Sequence, residues 1–210
     1  NSLSWTVVAV PVGPVTVKNP NVATVCAGTT ITMSLTTAGT GGTGTSQDEY
    51  RYDTGSGFTA WGTAVPSFAA VAGINTIESR RTSTGTGCTT AAGNSLSWSV
   101  NPSQTLTSAT QTIFACYSSP ATIKLAGLLP GSTSTISYTI GGVPETAITG
   151  KIADGAGEVS FATRNLTASD NGQILEITAI DITSFSPSCA KSFTGITVTL
   201  NVKPDSGGIS

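Results

Sequence analysis

Short runs in which apolar and polar residues alternate recur along the chain, separated by turns rich in Gly, Ser and Asn. A period of two sends successive side chains to opposite faces, so each run predicts a β-strand with one buried face. In TITMSLTT (30–37) that face is Ile31, Met33 and Leu35; in ATIKLAGL (121–128) it is Ile123 and Leu125. A hairpin signal follows each: Tyr50 and Tyr52 before Gly-Ser-Gly in EYRYDTGSGF (49–58), and Ile136, Tyr138 and Ile140 before Gly-Gly in STISYTIGGVPETAI (134–148). Then come two strands led by glycine, GINTIESRRT (73–82) and GQILEITAID (172–181). The closing strands are NSLSWSVNP (94–102), with Leu96, Trp98 and Val100 on one face, and GITVTLNVKP (195–204), with Ile196, Val198, Leu200 and Val202.

These landmarks occur twice in the same order, with Cys26 and Cys116 before the first strand of each set and Cys88 and Cys189 before each closing strand. A shared register over so many points predicts two tandem modules, residues 14–102 and 103–204, joined near Pro102 and followed by a tail at 205–210. The closing phrase NSLSWSV (94–100) also appears, as NSLSWTV, at residues 1–7. Residues 1–13 are therefore expected to be the closing strand or tail of a preceding repeat, and the chain a piece of a longer array. An alternative is that this strand fills a gap in a neighbouring module by strand addition. The fold class expected is all-β: two antiparallel β-sandwiches in tandem.

Composition supports strands and narrows the partners. Charged residues make up 10% of the 210 positions, and nearly a third of the chain is Thr or Ser. Thr and Val favour the pleated backbone, and good helix formers are scarce. Nine basic against eleven acidic residues give a net charge of −2, and no basic cluster is present to replace phosphate counterions, which argues against nucleic acid. The longest apolar runs, such as VVAVPV (7–12), are too short for a transmembrane helix.

With no histidine and no CxxC spacing, the four cysteines read as disulfides rather than as a zinc site, and disulfides imply an oxidising compartment. Sequence order favours Cys26–Cys88 and Cys116–Cys189, one bridge per module, each worth roughly 4 kcal/mol by chain entropy. Against this, the two positions in each module are expected at opposite ends of a sandwich, beyond a disulfide's reach. Cys26–Cys189 is the alternative.

In the second module NLTASDNGQILEI (165–177) resembles the Leu-x-x-x-Asp-x-Gly corner of immunoglobulin-like domains, with Leu166, Asp170 and Gly172 in place. Ile174 and Glu176 stand where that pattern has tyrosine and cysteine. The whole layout resembles the Ig-like or PKD-like repeat modules of large secreted surface proteins from Bacteroidota, including the gliding-motility adhesin type. The features that carry this are the turn Cys26-Ala27-Gly28, the loop Gly87-Cys88 and the ending Asn101-Pro102; the second module departs, with Cys116-Tyr117-Ser118 and Ser188-Cys189. The resemblance implies two immunoglobulin-like modules acting as a structural repeat in cell adhesion, outside the cell and at its surface. Neighbouring repeats of the same chain would be partners, with a surface polysaccharide or another cell-surface protein as further candidates.

No catalytic residues, cofactor or metal ligands are assigned. Without histidine, Ser-His-Asp and Cys-His arrangements are excluded. Asp48/Glu49 and Asp154/Glu158 are carboxylate pairs of the kind a glycosidase uses, but are expected to be solvated turn and edge residues. Asp154-Gly-Ala-Gly-Glu158, with Asp170-Asn171-Gly172, offers oxygen ligands without a full calcium loop. Tyr50, Tyr52, Phe58 and Trp61 are a candidate platform for stacking a sugar, set against the plainer expectation of core and cross-strand pairs. Trp5 and Trp98 are expected in the core. Arg80-Arg81 is read as an edge charge that blocks strand pairing, and Lys124 as outward-facing. The function expected is a non-catalytic structural repeat of a long secreted bacterial adhesin or filament; the alternative is a carbohydrate-binding or accessory module of a secreted enzyme.

Overall fold

The structure, a computed structural model, describes residues 2–4, 7–85 and 90–204. Trp5, Cys88 and the 205–210 tail lie outside them. The chain divides into two compact units, Asn1–Pro102 and Ser103–Ser210. Each is an all-β, immunoglobulin-like sandwich, and the described residues include no α-helix.

In the first module the strands are β1 (Val15–Asn19), β2 (Thr24–Cys26), β3 (Thr30–Thr37), β4 (Ser46–Asp53), β5 (Ser67–Ala69), β6 (Gly73–Ser83) and β7 (Thr90–Asn101). One sheet has the order β1-β3-β5 and the other β2-β7-β6-β4. The entering chain serves both sheets. β1 pairs antiparallel with β3 and stops at Pro20, which has no N–H for the ladder; beyond it β2 pairs in parallel with the end of β7. Between the sheets lie Val25, Ile31, Met33, Tyr50, Ala70, Ile77, Trp98 and Val100. Trp98 is fully buried and its Nε1 donates to the Pro20 carbonyl at 3.1 Å, so its polar edge is satisfied.

Leu35, expected to be buried with Ile31 and Met33, is exposed. That end of the sandwich is held by the Asp48–Arg81 ion pair (2.9 Å) rather than by apolar packing, and Asp48 also accepts from the Gly39 amide of the β3–β4 loop. The segment before β1 follows the same loop. Val12 exchanges backbone hydrogen bonds with Thr40, and the Gly42 amide donates to the Ala9 carbonyl.

The second module contains β8 (Ser108–Ile113), β9 (Ala115–Cys116), β10 (Pro120–Ala126), β11 (Thr133–Ile140), β12 (Val143–Pro144), β13 (Ile148–Ile152), β14 (Glu158–Asn165), β15 (Ile174–Ile182), β16 (Cys189–Ser192), β17 (Thr197–Thr199) and β18 (Val202–Lys203). β8-β10-β14 form one sheet; β12 and β13, then β11, β15 and the pair β16 and β17 form the other. The entry repeats that of the first module: β8 pairs antiparallel with β10, and β9 pairs in parallel with β18. The core is larger, built on Ile123, Leu125, Ile136, Phe161, Leu166, Leu175, Ile177, Ile180 and Leu200. Full burial of each such side chain is worth about 1.5–3 kcal/mol. Tyr138 packs against Phe161 with ring centroids 5.2 Å apart.

The cysteines correct the expectation of one bridge per module. Cys26 and Cys189 are disulfide-bonded, whereas Cys116 is an exposed free thiol. Strand geometry gives the reason. Cys116 pairs with Lys203, and the Ser118 amide donates to Leu166, which places it beside the corner that leads into β15. Cys189 pairs with Ile182, at the far end of β15. That strand spans on the order of 25 Å at about 3.3 Å per residue, and a disulfide joins Cα atoms no more than about 7 Å apart.

Candidate functional site

The sequence brought four aromatic residues into one candidate platform, and the structure distributes them over two faces of one sheet. Tyr50 and Tyr52 alternate inward on β4: Tyr50 is buried in the core, and Tyr52 packs at its margin, stacked on Phe68 with centroids 4.3 Å apart. Burial raises the Tyr50 hydroxyl above its usual pKa, and Asp48 adds to the effect. Phe58 and Trp61 lie instead with the arginines of β4 and β6. The Arg51 guanidinium is 4.2 Å from the Phe58 ring and 4.4 Å from the Trp61 ring, and that of Arg80 is 4.1 Å from Trp61.

Those arginines are part of a cross-strand lattice. Glu49 faces Arg80 and Arg51 faces Glu78 across the β4–β6 ladder, with ion pairs of 2.6 and 2.7 Å. Each arginine also donates Nε to the same carboxylate oxygen, at 2.8 Å. Glu49 is held below its ordinary pKa, first by the Gln47 amide at 2.8 Å and then, against a desolvation cost, by Arg80. The Arg80-Arg81 doublet is therefore not an edge device. β6 lies between β4 and β7, and its two arginines neutralise Glu49 and Asp48 on opposite faces.

Beside Trp61 a groove of about 350 Å³ runs toward the first half of β7, lined by Glu78, Ser79, Arg80, Thr90, Ala92, Gly93, Asn94 and Ser95. A bulge shapes it: the β6–β7 register shifts between Glu78 and Arg80, and the Ser79 hydroxyl donates to the Asn94 carbonyl while accepting its amide. Gly93 is required there, because a Cβ would collide with the Ser79 hydroxyl and the Pro14 carbonyl. Trp61 is fixed on the opposite wall by the backbone pair Tyr50–Gly62, at 2.7 and 2.9 Å. The alternation of β4 pointed to Tyr50 and Tyr52, but nothing local pointed to Arg51, Arg80 or Asn94, which meet Trp61 or the groove only through strand order.

The carboxylates considered for catalysis are engaged elsewhere. Asp48 and Glu49 are strand neighbours on opposite faces, each bound to its arginine. Asp154 accepts the amides of Ala156 (2.9 Å) and Glu158 (2.8 Å) and so closes the β13–β14 turn. Glu158 pairs with Lys124 at 2.7 Å. No group of His, Cys, Asp and Glu suited to a metal ion occurs among the described residues.

The corner before β15 holds the most polarised cluster. Leu166 is buried, Ala168–Asp170 form a 3-10 turn, and Gly172 takes φ +80°. Asp170 receives Arg164 through both oxygens, at 2.7 and 2.9 Å, and the Thr167 amide at 2.7 Å. These bonds, that of Arg164 foremost, hold Asp170 well below the usual carboxylate range despite burial. Arg164 also donates to Glu145 at 2.9 Å. The cluster is satisfied within itself and ties β14 to the 3-10 turn, which marks it as structural.

No protein-family model matches this sequence, and no curated protein matches it. Among solved structures, an I-band fragment of titin covers 95% of this chain and 67% of its own, at 11% identity and TM-score 0.47. The fibronectin(III)-like modules of Clostridium thermocellum CbhA cover 90% of this chain and 94% of theirs, at 12% identity and TM-score 0.33. These similarities assign neither ligand nor activity.

Proposed function

We propose that the two modules are non-catalytic structural repeats of a secreted bacterial cell-surface adhesin or filament, whose task is to extend and stiffen it. One observation carries this reading: in both modules the entering and closing strands pair in parallel, Thr24–Cys26 with Ser99–Asn101 and Ala115–Cys116 with Val202–Lys203. Chain ends that leave a parallel pair depart in opposite directions. Tension between them then shears the ladder, so its hydrogen bonds resist together, whereas an antiparallel hairpin peels one bond at a time. Disulfide-bonded Cys26 and Cys189 support an oxidising location outside the cytoplasm.

Antibodies raised against the chain test the location on cells that produce it. Labelling of intact cells is expected. Labelling that appears only after lysis would overturn the surface assignment.

A further inference from the structure

We propose that the groove between Trp61 and the β7 bulge binds an uncharged saccharide. This goes beyond the structural role and does not depend on it.

The groove's volume, about 350 Å³, falls within the range of small-molecule sites. Its two charged residues, Glu78 and Arg80, have opposite signs, so it offers no net attraction to a phosphate, a uronate or a cation. Its walls combine apolar surface at Trp61, Ala92 and Gly93 with polar groups that keep unused capacity among the described residues. Glu78 gives only Oε2 to Arg51, which leaves Oε1 as an acceptor. Arg80 gives Nε and Nη2 to Glu49, which leaves Nη1 as a donor.

A sugar ring has the matching pattern, C–H faces bordered by hydroxyls that both donate and accept. The walls are also fixed beforehand. Two guanidinium contacts and the Gly62 backbone pair hold Trp61, and Ser79 holds the bulge, so little freedom remains to be lost on binding.

The test is an array of short neutral oligosaccharides (cello-, malto-, manno- and galacto-series) beside acidic ones, probed with the whole chain and followed by calorimetry on the best binder. Trp61→Ala is expected to weaken binding about tenfold or more. Because that change also removes the lid over two arginines, Ser95→Arg serves as the second variant: it fills the groove from an exposed strand position and should abolish binding without moving the melting temperature. Three results would overturn the proposal: no neutral sugar bound at millimolar concentration, binding restricted to acidic sugars, or affinity unchanged in Ser95→Arg.

Discussion

Cys116 stands in the second module where Cys26 stands in the first. Each ends the short strand that pairs in parallel with the closing strand, and the next amide donates to the partner carbonyl, Ala27 to Asn101 (2.8 Å) and Tyr117 to Lys203 (3.1 Å). Their chemical states nonetheless differ: Cys26 is oxidised and Cys116 is free and exposed. Alkylation of the native chain without reductant is therefore expected to modify Cys116 and leave Cys26 and Cys189 untouched until a reductant is added. A cross-linked peptide containing Cys116 and Cys189 would contradict this assignment.

Asp170 gives the second module a carboxylate-dependent stability. Its folded pKa lies below the unfolded value, so its contribution is complete above the ordinary aspartate pKa of about 3.9 and is lost as the pH falls from there through the folded value. Asp170→Ala should cost about 2–3 kcal/mol at neutral pH, from the lost Arg164 and Thr167 bonds. Urea titrations across pH check both points: the variant's deficit should shrink as acid protonates Asp170 in the native chain.

Gly93→Ala places a methyl group against the Ser79 hydroxyl and the Pro14 carbonyl, inside the bulge. A loss of about 1–3 kcal/mol is expected. Hydrogen exchange should show faster opening in β6 and β7. The same substitution at Gly62, where an added Cβ meets nothing within 4 Å, provides a control.

Trp98→Phe keeps most of the apolar volume but leaves the Pro20 carbonyl without its indole donor. The cost should be about 1–3 kcal/mol, and chemical denaturation of the two proteins measures it.

The strands were readable wherever the local pattern alone decides burial. Ile31 and Met33, Ile136 to Ile140, and Trp98 with Val100 all alternate into the core as their sequences imply. What failed depended on neighbours distant in sequence. Leu35 has the right period but lies at a sheet end closed by Asp48 and Arg81, and Arg80-Arg81 looks like an edge because strand order is invisible locally. Trp61 follows a turn that resets the alternation, so Phe58 and Trp61 leave the face of Tyr50 and Tyr52 for the guanidiniums of Arg51 and Arg80. The groove needs a bulge whose register only the assembled β6–β7 pair reveals.

Stretching single molecules of the whole chain by its ends, under reducing conditions, tests the mechanical reading most directly. The account predicts two separate unfolding peaks, one per module, each lengthening the chain by roughly 30 nm and each resisting as a sheared parallel pair does. Extension without force peaks, or a single event for the whole chain, would contradict it.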